Sequence, residues 1–189
     1  MRKLLTLACI ALLPVLSGCM AVALGGAAAT GFIVGEDRRT IGTITEDQGI
    51  EIKAASRIEE KVKDAHINVT SYNRAVMLTG EVPSEAAKAD AERIARAVEN
   101  VRSVFNELQV SGNASLQSRT NDSVITSKIK ARFVDARKFS PVHVKVVTEN
   151  GVAYLLGMVN RQEAADATEV ARTTGGVRKV VRVFEYHLN

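Results

Sequence analysis

The chain has 189 residues, of which 46% are hydrophobic, 24% charged and 4% aromatic, and it carries a formal net charge of +4. Three His and two Cys give no cluster of converging ligands for a zinc centre, and so few aromatics leave little to stack on nucleic-acid bases. No Ser or Thr stands in a pattern with a base and an orienting third group, and no Gly-rich segment has phosphate-loop spacing. The chain therefore reads as a non-enzyme with no cofactor, no metal, no small-molecule substrate and no nucleic-acid partner.

The first element is a basic start, Arg2 and Lys3, followed by the apolar run Leu4 to Leu16, the plan of a secretory signal peptide. It ends in Leu16-Ser17-Gly18-Cys19, which resembles the bacterial lipobox. That resemblance implies a signal peptide over 1–18 and diacylation of Cys19. Met20 stands where lipoproteins retained at the inner membrane carry Asp, so the resemblance points to the outer membrane. Once Cys9 leaves with the signal, Cys19 is the only thiol and no intramolecular disulfide can form. Residues 19–45 read as the lipidated Cys and a flexible tether. Pro14, Gly18, Gly25, Gly26, Gly31 and Gly35 argue against a membrane-spanning helix there. As a flexible coil these residues span about 30 Å, so whatever follows works close to a membrane.

Two copies of one unit follow, over 46–111 and 118–189. Ile67-Asn68-Val69-Thr70-Ser71-Tyr72-Asn73 aligns with Val144-Lys145-Val146-Val147-Thr148-Glu149-Asn150, and the second apolar runs end in Gly80 and Gly157. Each copy opens with an amphipathic helix, carrying Ala54, Ile58 and Val62 or Ile125, Ile129 and Phe133 on one face. Two short apolar runs come next. The pairs Asn73-Arg74 and Asn150-Gly151 between them predict β-hairpins. Ser84 and Asn160 stand at the starts of Ala-rich helices running to Val98 and Thr173, and closing strands are expected over 101–110 and 177–188. The fold class is α+β: two tandem αββαβ units, each a small mixed three-stranded sheet with two helices on one face.

The αββαβ order, the Gly after the second strand and the turn Gly176-Val177-Arg178-Lys179-Val180 into the last strand resemble the BON domain. Arg39-Thr40-Ile41-Gly42-Thr43, Ile67-Asn68-Val69-Thr70 and Val147-Thr148-Glu149-Asn150-Gly151 extend the likeness to dual-BON lipoproteins of the outer membrane. That likeness implies a part in outer-membrane integrity and a link to the machinery that assembles outer-membrane proteins.

Charge separates the copies. Residues 46–111 hold nine Lys/Arg against twelve Asp/Glu, and residues 118–189 hold twelve against seven, so one unit is acidic and the other basic. On the second opening helix, Val124, Ala131 and Val134 lie opposite the core positions among Lys128, Lys130, Arg137 and Lys138, with Phe139 just beyond the end. Apolar spots ringed by cations suit an anionic bilayer interface. The expectation is a lipid-anchored, periplasm-facing protein whose second domain binds anionic phospholipid through Val124, Lys128, Lys130, Ala131, Val134, Arg137, Lys138 and Phe139. The alternative is a periplasmic protein-protein adaptor or chaperone-like module without a lipid role.

Overall fold

The computed structural model describes residues 37–111 and 116–187. The expected signal peptide, Cys19 and most of the expected tether lie outside the described residues.

The first helix, α1 (Ile41–Lys61), is capped by Thr40, whose hydroxyl accepts from the Thr43 amide at 3.1 Å. It starts five residues ahead of the boundary expected at 46, because this cap lies within the stretch read as tether. Asp47, Ile50, Ala54 and Ile58 recur at helical spacing and are buried on its inner side. A hairpin follows, β1 (His66–Tyr72) and β2 (Ala75–Val82), paired antiparallel with Tyr72 opposite Ala75. Its two-residue turn puts Asn73 at φ 49° and Arg74 at φ 64°, the left-handed pair that matches strand twist. Helix α2 (Glu85–Arg96) is capped by the Ser84 hydroxyl. The chain then returns parallel to β2 as β3 (Ser103–Asn106) and β4 (Gln109–Val110).

The expected closing strand over 101–110 is thus broken in two. Asn106 turns its side chain toward α2, donating to the Lys88 carbonyl at 3.1 Å, and accepts from the Leu108 amide at 3.3 Å. Leu108 then enters the core, 1% exposed.

The second unit repeats this order. Helix α3 (Leu116–Ala136) leads through a short 3-10 turn to β5 (Val144–Glu149) and β6 (Val152–Val159), joined by Asn150 and Gly151 at φ 48° and 71°. Helix α4 (Arg161–Arg172) opens with a full capping box between Asn160 and Glu163. Strand β7 (Lys179–Tyr186) lies parallel to β6 over eight pairs, so the second sheet has the order β5-β6-β7.

Alternation along the central strands assigns two faces. Val76, Leu78 and Val82 of β2 pack beneath α1 and α2, and Ala153, Leu155 and Val159 of β6 pack beneath α3 and α4. The intervening residues point away from the helices, yet Tyr72, Met77, Tyr154 and Leu156 are also buried and form one cluster with Val147, Val152, Met158, Val181 and Val183. The two sheets therefore stand back to back, and each domain covers the apolar sheet face of the other.

Polar contacts rim this seam. Asn68 donates to Glu149 at 2.8 Å, Asn150 to Glu81 at 2.6 Å and Asn73 to Glu185 at 2.8 Å. Lys145, on the same side of its strand as Val147, reaches Glu51 at 2.6 Å and the Ser71 carbonyl at 3.2 Å in the other domain. Alternation separates the faces of a strand but does not say which face a second domain covers.

Candidate functional site

Helix α3 carries the expected site. Ile125, Ile129 and Phe133 are fully buried against the second sheet. At 100° per residue, Val124, Lys128, Ala131 and Val134 fall within an arc of about 120° on the other side. All four are exposed, Val124 at 46% and Val134 at 60%. Lys130 borders this arc and is exposed, and Asp135 adds one acid within it. Thr120, Ser123 and Ser127 complete a shallow, mainly apolar groove along the same face.

Beyond Ala136 the helix stops because Arg137 adopts φ 50°. That turn corrects one expectation. Phe139 is not part of the exposed patch: it is 9% exposed and packs edge-on against Phe133 with ring centroids 4.9 Å apart. The reversal at Arg137 folds the chain beneath the helix rather than past it. Arg137 and Lys138 are both exposed, but Lys138 is already paired with Asp166 on α4 at 3.1 Å. Among the helix's cations, Arg132 is structural, binding the Val170 carbonyl at 3.0 Å and the Thr174 hydroxyl at 2.8 Å at the end of α4.

The matching face of the first domain is made differently, with Ile52 exposed at 71% beside Lys53. Aligned on the core positions Ile50, Ala54 and Ile58, the places of Val124, Ala131 and Val134 hold Gly49, Ser56 and Glu59.

Two features escape a reading by pattern. Asp47, 3% exposed, accepts from the Ser71 hydroxyl at 2.6 Å and from the Asn73 and Arg74 amides at 2.8 and 2.7 Å. Asp122 does the same for the Asn150 and Gly151 amides, both at 2.8 Å. The signal was an Asp on the apolar face of both opening helices. The second feature is a cluster at the start of α4. Arg38 grips Glu163 with both guanidinium nitrogens at 2.6 and 2.8 Å, while His143 and His187 approach the same carboxylate at 3.4 and 3.9 Å. Arg38 holds the Glu163 carboxyl down at about 2. Nothing local marks this pairing, since the two residues are 125 apart in sequence. Among the described residues, no three His, Cys, Asp or Glu are arranged to hold a metal ion.

Residues 46–112 and 121–187 each match the BON domain, and the chain belongs to the BON-domain family. It is a dual-BON protein similar to the outer membrane lipoprotein DolP of Haemophilus influenzae, with 38% identity over 175 residues and 90% of each chain covered. It is also 33% identical over 153 residues to a 21 kDa hemolysin of Actinobacillus pleuropneumoniae, covering 79% of each chain. The osmotically-inducible protein Y of Escherichia coli is 33% identical over 145 residues, covering 74% of this chain and 72% of that protein.

Proposed function

We propose that this is a non-catalytic lipoprotein of the outer membrane, anchored through Cys19 and facing the periplasm. Its second BON domain binds anionic phospholipid through the outer face of α3 and supports outer-membrane integrity. The observation that carries this reading is the exposure of Val124, Ala131 and Val134 beside Lys128, Lys130 and Arg137. The likeness to a relative named as an outer membrane lipoprotein supports the location. Each Lys or Arg at an anionic surface contributes about 1 kcal/mol, so α3 alone binds weakly. A short lipidated tether turns weak contact into frequent contact by holding the domain at roughly millimolar effective concentration.

The test uses the soluble chain from Met20 onward and vesicles with and without anionic phospholipid. Lys128, Lys130 and Arg137 changed together to Glu should weaken binding about 100-fold, and added salt should weaken the parent's binding. Lys138 is left unchanged because its partner Asp166 would otherwise be stranded. Equal binding by parent and reversed chain would favour the protein-adaptor reading.

A further inference from the structure

Arg38 precedes the first domain in sequence but is bound to the second. Besides its two-pronged grip on Glu163, its Nη1 donates to the Met158 carbonyl at 2.7 Å. The next residue, Arg39, binds the first domain instead, pairing with Asp47 at 2.9 Å and lying 4.0 Å over the Tyr72 ring. Consecutive arginines thus fix the point where the N-terminal segment joins the folded body. That point is where β6 runs into α4.

Tyr186 ends β7, lies opposite Val159 in the sheet register and is 56% exposed. The guanidinium of Arg161, the first residue of α4, stands 5.9 Å over its ring. Three residues past Glu163, Asp166 ties in Lys138 and with it the end of α3. The root of the N-terminal segment, an exposed aromatic, its cation and the basic end of α3 therefore share one end of the second domain. A Tyr with a polar tip beside an Arg is the pairing that settles at the headgroup level of a bilayer. Eighteen residues separate Cys19 from Arg38, about 25 Å as a coil, so a lipid on Cys19 keeps this end near the surface.

We infer that Tyr186 and Arg161 form a second contact with an anionic bilayer, next to the root of the tether, so that the molecule meets the membrane with this end of its second domain. The inference rests on the lipid-binding reading of α3 and adds an orientation to it. The C-terminal part of α3 enters the interface together with Tyr186, while the first domain points away.

The chain contains no tryptophan, so a single Trp introduced at an exposed position reports its own surroundings. Tyr186→Trp, Val134→Trp and Ile52→Trp are compared in the soluble chain from Met20 onward, with vesicles of phosphatidylcholine alone or mixed with phosphatidylglycerol, plain or with brominated acyl chains. With the anionic vesicles, the tryptophans at 186 and 134 should shift to the blue and be quenched, and that at 52, on the acidic domain, should do neither. Arg161→Ala should weaken binding about fivefold. A shift at 134 without one at 186 overturns this inference and leaves the α3 reading standing. A shift at 186 alone overturns the α3 reading and, with it, the joint orientation inferred here, and no shift at either overturns both. A shift at 52 equal to that at 186 marks indiscriminate adsorption and also overturns the inference.

Discussion

Gly80 and Gly157 stand at equivalent places for partly different reasons. Gly80 has φ 118°, and a Cβ there would lie 2.0 Å from the His66 carbonyl oxygen. Gly157 has no positive φ, but a Cβ there would lie 2.3 Å from the carbonyl oxygen of His143. In each case neighbouring backbone, the first residue of β1 or the 3-10 turn before β5, passes too close for any side chain and cannot swing aside. Gly157→Val should cost about 3 kcal/mol through overpacking, whereas Lys145→Val should cost about 1 kcal/mol or less, because its bridge to Glu51 is partly solvated. Urea unfolding of both variants measures the difference, and equal midpoints would show that the strand has room. The repeat made these glycines legible in the sequence. The place of Phe139 was not legible, because a helical wheel cannot register the left-handed Arg137 that turns the chain back.

Among the elements, helices and hairpins followed from period and turn residues, since the burial of one face imposes 3.6 or 2 on the sequence. The tie between each opening helix and its hairpin did not. Asp47 and Asp122 each reach across to a turn and satisfy two backbone N–H groups that the tight loop leaves without ladder partners. Pattern reading takes polar residues as outward-facing, which hides a buried carboxylate doing backbone work. Asp122→Ala strands the amides of Asn150 and Gly151 and should cost about 3 kcal/mol. Hydrogen exchange at those two amides should accelerate well beyond exchange at Leu155 in the middle of β6. Parallel acceleration of all three would mean only that the whole domain is less stable. The sequence showed the apolar outer face of α3 because its residues are local to one helix, while Arg38 and Glu163, and Tyr186 and Arg161, meet only in the folded chain.

At the scale of the molecule, back-to-back sheets make the two domains interdependent. A small domain of this size buries only about 60% of its unfolded surface, and here the partner sheet covers what the helices do not. The seam also contains ionisable groups. Burial raises the carboxyl pKa of Glu149, Glu81 and Asp122 add to the rise, and Asn68 and Arg119 oppose it. His66 lies on the same cleft, its own pKa lowered by burial and by Arg119. A raised carboxyl pKa gives stability that is complete below the ordinary value of 4.5 and is lost as pH rises through the folded value. Glu149→Gln keeps an acceptor for Asn68 and removes that loss, so its stability relative to the parent should improve between about pH 5 and pH 7. Urea midpoints at the two pH values test this, and a constant offset would place the pH dependence elsewhere.

The sulfur of Met77 sits in the middle of that seam, in a side chain with no exposed surface. Peroxide can reach it only after the sheets have parted, and the sulfoxide it forms is polar and ill suited to return to an apolar interface. Each oxidation of Met77 therefore records one opening of the molecule and tends to prevent the next closure. In an oxidising compartment the lifetime of the paired state is then set by how seldom the seam opens, a kinetic property, as much as by the depth of its equilibrium.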